Sequence, residues 1–288
     1  MTYLLAIASA ILYGAADFTG GFATRRGGTI PVVFLSQLSG LALLALLMPL
    51  LPYASPTRAD LLWGVCAGVT GGIGVALLER ALAIGRMAVV APTTAVCAVA
   101  IPVVVSVLLG ERLLPLAIAG IILGIISIVL VSQQTATEPG AIGGTPRPWL
   151  PPGVGIALVS GVAIGFFFLS LAQTGPSAGM WPILAARLLS SLFFGVAALA
   201  GRQSLRMPPR VVTLVLVCGA VDMLANALYL VAARQGPLSV VVTLSSLYPA
   251  STVLLARVVL GERLNARQIT GVGCALAAIA LIVSGSRN

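Results

Sequence analysis

The sequence predicts an all-helical, polytopic membrane protein with ten transmembrane helices arranged as two inverted five-helix repeats. Hydrophobic residues make up 59% of the 288 residues and charged residues only 8%, whereas a soluble domain has about 25% charged residues. Apolar stretches of about 20 residues, long enough to cross about 30 Å of hydrocarbon, recur along the chain. The tetrapeptide Gly-Glu-Arg-Leu occurs at 110–113 and again at 261–264.

Ten apolar stretches follow one another, five in each half of the chain. Backbone polar groups in lipid must be satisfied internally, so stretches of this length are predicted to be helices. The predicted spans are 3–22, 29–50, 60–79, 87–109 and 113–132, then 153–172, 179–200, 211–233, 237–260 and 265–284. The first span lacks a basic leader region and a small-residue cleavage pattern, which favours a retained helix.

The two Gly-Glu-Arg-Leu copies are 151 residues apart, and the same offset aligns distant identical residues such as Ser9 with Ser160 and Gly68 with Gly219. The chain is therefore one unit used twice. Residues 1–132 are the first predicted repeat, 152–288 the second, and 133–151, rich in Pro, Gly and Thr, the linker. Five spans is an odd number, so the second repeat enters the membrane in the opposite orientation, as is typical of secondary transporters.

The composition also excludes several kinds of chemistry. All sixteen basic residues are arginine, since the chain has no lysine and no histidine. The missing lysine excludes a P-loop, and the missing histidine excludes a Ser-His-Asp triad and a His-Glu-x-x-His zinc site. We therefore predict no catalytic residue, cofactor or metal site. The net charge of +9 comes from scattered arginines, which favours an orientation signal in the lipid bilayer over nucleic-acid binding.

The arginines are unevenly divided between the two sides of the predicted membrane protein. Loops after odd-numbered spans carry ten of them and the opposite loops carry four. The positive-inside rule then places both termini on the extracytoplasmic side.

The chain resembles the drug/metabolite transporter superfamily, specifically the EamA-like ten-helix exporters. The features that carry the resemblance are the duplicated five-span unit, the Gly-Glu-Arg-Leu turn after spans four and nine, the 81–85 connection before span four, and Arg187 in span seven. The resemblance implies a multi-pass protein of the plasma (inner) membrane that exports or exchanges small polar metabolites, amino acids or drugs. It also implies that both termini are cytoplasmic, contrary to the arginine count. A monomer and a homodimer are both compatible with the sequence.

Ionisable residues inside a membrane are costly and are therefore candidates for substrate binding or coupling. Two polar stripes follow from helical spacing: Tyr13 and Asp17 in span one, and Asp222, Asn226 and Tyr229 in span eight. Arg187 is interpreted either as a substrate contact or as a structural counter-ion to Asp17 or Asp222. Asp17 is alternatively interpreted as approaching the headgroups near Arg25 and Arg26.

Interrupted spans at corresponding positions of two repeats are a second indication of a binding site. Span four contains Pro92 and Pro102, and span nine contains Pro249; a proline inside a helix frees a carbonyl and kinks the helix. The neighbouring polar side chains are candidate substrate contacts: Thr93 and Thr94 in span four, and Ser245, Ser246 and Tyr248 in span nine.

Charged residues near span ends are gating or structural candidates. Glu79, at the end of span three, is interpreted as an interfacial partner of Arg80. The two Gly-Glu-Arg-Leu turns contribute Glu111, Arg112, Glu262 and Arg263. Each glutamate is expected to favour the N-terminus of the helix that follows it. The gating hypothesis is that these Glu–Arg pairs exchange partners as the two repeats rock against each other.

These features predict a secondary active transporter of a small-molecule substrate, working by alternating access around a central cavity. Proton coupling, with Asp17 or Asp222 as the titrating group, and passive exchange both remain open. The alternatives are a membrane-embedded scaffold or receptor and an intramembrane aspartyl enzyme. The enzyme is disfavoured because the aspartate segments lack the Gly-x-Gly-Asp pattern of that chemistry.

Overall fold

The computed structural model describes residues 2–108, 115–132, 150–235, 241 and 244–285. Within these residues the chain forms ten α-helices and two 3-10 turns, Met48–Leu50 and Pro176–Ala178, without a strand. The first five helices are α1 Thr2–Gly27, α2 Thr29–Leu47, α3 Arg58–Ile84, α4 Met87–Leu108 and α5 Pro115–Ser132. The second five are α6 Val154–Ala172, α7 Trp181–Ala200, α8 Pro209–Gln235, α9 Pro249–Val259 and α10 Ala266–Gly285.

Seven of these helices, α1, α2, α3, α6, α7, α8 and α10, are long and apolar enough to cross a membrane. The apolar parts of the other three within the described residues are shorter: Met87–Pro102, Ile118–Leu130 and Pro249–Val259. The predicted all-helical membrane architecture is confirmed. Residues 133–149 of the predicted linker, together with Glu111 and Arg112, lie outside the described residues.

Short polar signals set several helix ends. The side chain of Thr57 accepts the Asp60 amide hydrogen at 3.2 Å, and the Asp60 carboxylate accepts the Thr57 amide hydrogen at 2.8 Å. This capping box satisfies amides at the start of α3 that have no partner within the helix. Asn265 and Gln268 exchange equivalent bonds at the start of α10. Gly28, with φ 77°, turns the chain from α1 into α2.

The alternating helices give the bundle two ends. The odd end holds the connections after α1, α3, α7 and α9, and the even end holds those after α2 and α6. Contacts across neighbouring helices agree with this division: Arg86 bonds to the Arg263 carbonyl at the odd end, and Thr2 bonds to the Gln235 carbonyl at the even end.

The helix packing repeats with the 151-residue offset. The helix α1 packs most extensively on α8, and the equivalent pair, α6 on α3, packs almost as extensively. The Ser9 hydroxyl donates to the Ala225 carbonyl at 2.9 Å. The equivalent Ser160 hydroxyl donates to the Gly74 carbonyl at 2.7 Å. These two bonds join one repeat to the other and are related by the offset at both donor and acceptor.

A second pair of hydroxyl bonds follows the same rule. Thr94 of α4 donates to the Ala157 carbonyl at 3.2 Å, and Ser245 donates to the Ala6 carbonyl at 3.4 Å. Both donors are buried. The inverted repeat predicted from sequence is therefore present in individual hydrogen bonds.

The two proline-containing spans differ from each other. The predicted interruption of span four is wrong, because α4 is one helix from Met87 to Leu108 with Pro92 and Pro102 inside it. The ninth span is broken: residues 244–245 are helical, 246–248 form a turn, and α9 starts at Pro249. In that turn the Tyr248 amide bonds three residues back, to the Ser245 carbonyl at 3.3 Å.

Glycine permits the closest crossings between repeats. A methyl group on Gly68 of α3 would lie 2.6 Å from the Ala186 carbonyl oxygen of α7, and one on the equivalent Gly219 would overlap the Ser36 carbonyl of α2. Small residues at such crossings let backbones approach in a membrane, where apolar contact alone gives little preference for one partner.

We expect Gly68→Ala and Gly219→Ala to lower the thermal unfolding temperature of the purified protein in detergent. Overfilling a packed contact costs about 1–3 kcal/mol. Gly273→Ala in α10 is the matched control, since nothing lies within 4 Å of an added methyl there and alanine is the better helix former by about 1 kcal/mol. Equal unfolding temperatures for all three variants would show that the crossings are not tight.

Candidate functional site

A partly buried ion pair lies at mid-depth in the bundle. The Arg187 guanidinium of α7 contacts the Asp222 carboxylate through Nη2 and the Gln37 amide oxygen through Nη1. Asp222 is thirteen residues from each end of α8. The arginine and aspartate side chains are 13% and 31% exposed. The sequence suggested Asp17 or Asp222 as the counter-ion of Arg187, and in the structure Arg187 pairs with Asp222.

Neighbouring groups hold this pair in place. The Asn226 side-chain amide donates to the Asp222 backbone carbonyl at 2.8 Å and lies 3.5 Å from the Asp222 carboxylate. Gly40 of α2 leaves room for the guanidinium, since a methyl group there would be 3.2 Å from Nη1. Gln37 was not predicted as a site residue. The sequence feature that points to Gln37 is its position, since it directly follows Ser36, which the 151-residue offset aligns with Arg187.

Three tyrosines surround the ion pair. The rings of Tyr13 and Tyr248 meet edge to face with centroids 6.3 Å apart. Tyr13 interacts electrostatically with Asp222, Arg187 and Tyr229 as well. All three tyrosines are only half-buried although they lie well inside the helical bundle. Their partial exposure at this depth indicates a gap between the helices, which we call the central space.

Asp17 lies beside these residues and has no counter-ion in the part of the chain that the structure describes. It interacts electrostatically with Asp222 and Glu79. Its Oδ2 atom is buried and makes no hydrogen bond to any described residue. The alternative that Asp17 approaches the headgroups near Arg25 is wrong, because α1 continues ten residues beyond it, about 15 Å along a helix.

Glu79 faces the inside of the bundle. It is 4% exposed, and its Oε2 accepts a hydrogen bond from Thr24 of α1 at 3.1 Å. Gly20 gives the carboxylate space, since a methyl group there would lie 2.8 Å from Oε1. The interpretation of Glu79 as a partner of Arg80 is wrong: successive helical residues diverge by about 100°, and Arg80 points to the exposed side. No pattern in the sequence indicated Thr24 as its partner.

The predicted hydroxyl candidates have separate environments. Thr93 donates to the Val89 carbonyl in its own helix at 2.8 Å. The hydroxyls of Thr94 and Ser245 bond to backbone carbonyls of neighbouring helices. Ser246 and Tyr248, in the break before α9, are half-buried, and Tyr248 contacts Tyr13.

The second Gly-Glu-Arg-Leu turn connects the two repeats at the odd end. The Glu262 carboxylate accepts the amide hydrogens of Met87 and Ala88 at 3.0 and 3.1 Å. These amides form the N-terminus of α4, where a negative charge is stabilising. The expectation that Glu262 serves the helix after it is therefore wrong. Gly261, with φ 66°, allows the turn that sends the side chain to the other repeat.

Arginines complete this junction. Arg25 of α1 donates to the Leu82 and Gly85 carbonyls at the end of α3, at 3.0 and 3.2 Å, and lies 3.9 Å from Glu262. Arg86 bonds to the Arg263 carbonyl and to the Gln268 amide oxygen at 3.4 Å. The side chain of Arg263 itself is exposed. We name this set of contacts between α1, α3–α4 and α9–α10 the odd-end junction.

No group of three or more His, Cys, Asp or Glu residues is arranged to hold a metal ion among the described residues. Asp17, Glu79 and Asp222 interact through charge but are not clustered as ligands.

Comparison with known proteins identifies two copies of one unit. The model of the EamA-like transporter family matches residues 1–133 and again residues 151–284. A solved structure described as a crystal structure of a protein superposes with a TM-score of 0.62 at 15% identity, covering 97% of this chain and 95% of that chain. This likeness shows the fold alone. No curated protein matches the chain.

We expect Arg187→Gln and Asp222→Asn each to lower the thermal unfolding temperature, with the double variant losing less than the sum. Removing one member of a buried pair leaves an uncompensated charge and costs up to about 3–5 kcal/mol; partial exposure of Asp222 reduces this. Arg257→Gln, at an exposed arginine of α9, is the control. Additive losses in the double variant would mean that the two side chains are not energetically coupled.

Proposed function

The chain belongs to the EamA-like transporter family and is a membrane transporter of small solutes, and we propose that it is a secondary active exporter or exchanger of small polar metabolites, amino acids or drugs in the plasma (inner) membrane. The observation that carries the proposal is the Arg187–Asp222 pair at mid-depth, bordered by half-buried tyrosines. Ionisable groups facing a space inside a membrane bundle are typical of substrate and coupling-ion sites.

In this proposal the two repeats, residues 1–132 and 152–288, move against each other, with 133–151 joining them. Alternating access requires two states in which opposite ends of the bundle are closed. In an inverted repeat, the contacts that close one end have equivalents that close the other. Equivalent contacts can therefore be compared to find which end is closed here.

Two hydrophobic clusters at opposite ends are related by the offset. The odd-end cluster contains Phe18, Leu78, Ala81, Leu82, Met87, Val90, Ala91, Ala157 and Ala256. The even-end cluster contains Ala6, Ala232 and Val241, with Leu5, Tyr229 and Leu244 packed against them. Ala81, Val90 and Ala157 correspond to Ala232, Val241 and Ala6.

The two clusters differ in which residues of the neighbouring helices are buried in them. Phe18 of α1 and Ala256 of α9 are buried in the odd-end cluster. Their equivalents, Leu169 of α6 and Val105 of α4, are half-exposed and are not part of the even-end cluster as the described residues form it. In the same way α1 packs on α3, whereas the equivalent helices α6 and α8 share no comparable packing among the described residues. These differences support a state closed at the odd end and open at the even end.

The odd-end junction supports the same state. Glu262 and Arg86 join the α9–α10 turn of the second repeat to the start of α4 in the first. When the odd end opens, these contacts must separate. By the offset, Glu111 is the residue that would form the corresponding carboxylate contact at the even end. We therefore assign the duplicated Gly-Glu-Arg-Leu turns to gating.

Coupling to a proton gradient is part of the proposal. Asp17 lies beside the ion pair and lacks a counter-charge among the described residues. In this proposal a proton neutralises the Asp17 carboxylate when no other cation occupies it, which would link solute exchange to proton exchange.

We expect the purified protein in liposomes to carry out saturable counterflow of radiolabelled solute when a panel of metabolites, amino acids and drugs is tested. Arg187→Gln should reduce the rate strongly, because it leaves Asp222 and Gln37 without their partner. Arg257→Gln should exchange as the unaltered protein does. Absence of counterflow across the panel, from protein that is monodisperse, would contradict transport and favour the scaffold or receptor alternative.

Accessibility tests the closed end directly. In a variant with all four native cysteines replaced by alanine, we expect Leu169→Cys to react with a membrane-impermeant maleimide several-fold faster than the equivalent Phe18→Cys. Adding Glu262→Gln should raise the rate at Phe18→Cys by weakening the odd-end junction. Labelling from each side of sealed vesicles also determines the orientation of the protein in the membrane. Equal rates at the two positions would contradict a state closed at the odd end.

A further inference from the structure

We propose that Asp17 binds the positively charged group of the transported solute, so that the preferred substrates are organic amines, protonated or quaternary. This inference rests on the proposed transport function and adds the chemical class of the substrate to it. Four observations lead to it: the balance of charges around the site, the Asp17 carboxylate oxygen that lacks a hydrogen-bond partner among the described residues, the partial exposure of Asp17, and the neighbouring aromatic rings.

Negative charge exceeds positive charge around the central space. Asp17, Glu79 and Asp222 interact electrostatically with one another there. Within the described part of the chain the Arg187 guanidinium pairs with one of them, Asp222, and its two terminal nitrogens are already bound to Asp222 and Gln37. A buried carboxylate without a counter-charge is strongly disfavoured. A cation from outside the protein therefore completes the site.

Asp17 is better placed than Glu79 to receive that cation. The Oδ2 atom of Asp17 has no hydrogen-bond partner among the described residues, while the residue as a whole remains half-buried. Glu79 is 4% exposed, and its carboxylate is occupied by Thr24 and enclosed against Gly20. A solute entering from the even end reaches Asp17 first, because Glu79 lies five residues from the odd end of α3.

Aromatic rings favour an organic cation. Tyr13 is four residues before Asp17 on α1, so both side chains share a face. Tyr248 interacts electrostatically with Asp17, and its ring packs edge to face on Tyr13. Aromatic faces attract ammonium groups by about 2 kcal/mol when water is excluded. A metal ion would instead need several oxygen ligands, and the described residues offer no such cluster.

A proton competes for the same carboxylate. The titratable or charged groups facing Asp17 are Glu79 from α3, Cys218 and Asp222 from α8, Tyr248 before α9, and Tyr13 on its own helix. None of these carries a positive charge. Amine and proton therefore exclude each other at Asp17, and binding of the amine should weaken as the pH falls.

Equilibrium binding of radiolabelled benzyltrimethylammonium to the full-length protein in detergent tests the inference. We expect saturable binding that choline displaces and that its neutral isostere, 3,3-dimethylbutanol, does not. Asp17→Asn should raise the Kd by about tenfold or more, equivalent to about 1.4 kcal/mol, whereas Asp17→Glu should retain most of the affinity. Asp60→Asn removes a carboxylate at the start of α3, outside the site, and should leave the Kd unchanged. Gel filtration and thermal unfolding confirm that each variant is folded.

The inference is overturned if Asp17→Asn binds the cation as tightly as the unaltered protein, or if the unaltered protein shows no saturable binding of it. Displacement by the neutral isostere at the same concentration as choline would also overturn it. Counterflow separates this result from the proposed function: saturable exchange of neutral or anionic solutes by the same preparation would leave the transport function intact while refuting the cationic substrate class. A protein that fails both assays refutes both.

Discussion

The pairing of each repeat's first helix with the third helix of the other repeat is the interaction on which the rest of the structure depends. In hydrocarbon, apolar side chains gain little by leaving lipid for protein, so helix pairs are selected by close backbone approach and by hydrogen bonds. The α1–α8 and α6–α3 pairs each have one buried serine hydroxyl on a backbone carbonyl of the partner, from Ser9 and Ser160. The helices α2 and α7 pack across these pairs at Gly219 and Gly68. The central site lies where α1, α2, α7 and α8 meet.

The polar residues inside this bundle divide into two kinds. Those with an equivalent in the other repeat, such as Thr94 and Ser245, bond to backbone and hold helices together. The charged ones have apolar or small equivalents: Arg187 corresponds to Ser36, Asp222 to Gly71 and Asp17 to Phe168. In the proposed alternating-access cycle, a symmetric frame would make the two end-closed states similar in packing energy. An unduplicated set of charges gives that frame a single site. The two repeats therefore match at positions that hold helices together and differ at the charged positions of the central site.

The sequence predicted the ten helices and the offset because both depend on properties that are local or periodic: apolar length and recurring small residues. It also indicated Asp222 as one of two possible counter-ions of Arg187, because opposite charges in lipid have few other partners. It did not predict that Gln37 shares the guanidinium, that Thr24 binds Glu79, or that Glu262 binds the start of α4. Each of these contacts joins elements far apart in sequence, and its geometry depends on which helix faces which. The same limitation explains α4, where Pro92 and Pro102 are accommodated within one helix, whereas the span containing Pro249 is broken.

The position of Glu79 links the central site to the closed end. Its carboxylate is covered by α1 through Thr24 and Gly20, and α1 also contributes Phe18 to the odd-end cluster. The contact between α1 and α3 has no comparable counterpart between α6 and α8 among the described residues. Exchange of equivalent contacts would therefore separate α1 from α3 and expose Glu79 to water at the odd end. Asp17 lies on the same helix and interacts with Glu79 through charge. In the proposed transport cycle, neutralising Asp17 would remove this repulsion between α1 and α3, so a cation bound at Asp17 would stabilise the contact that keeps the odd end closed.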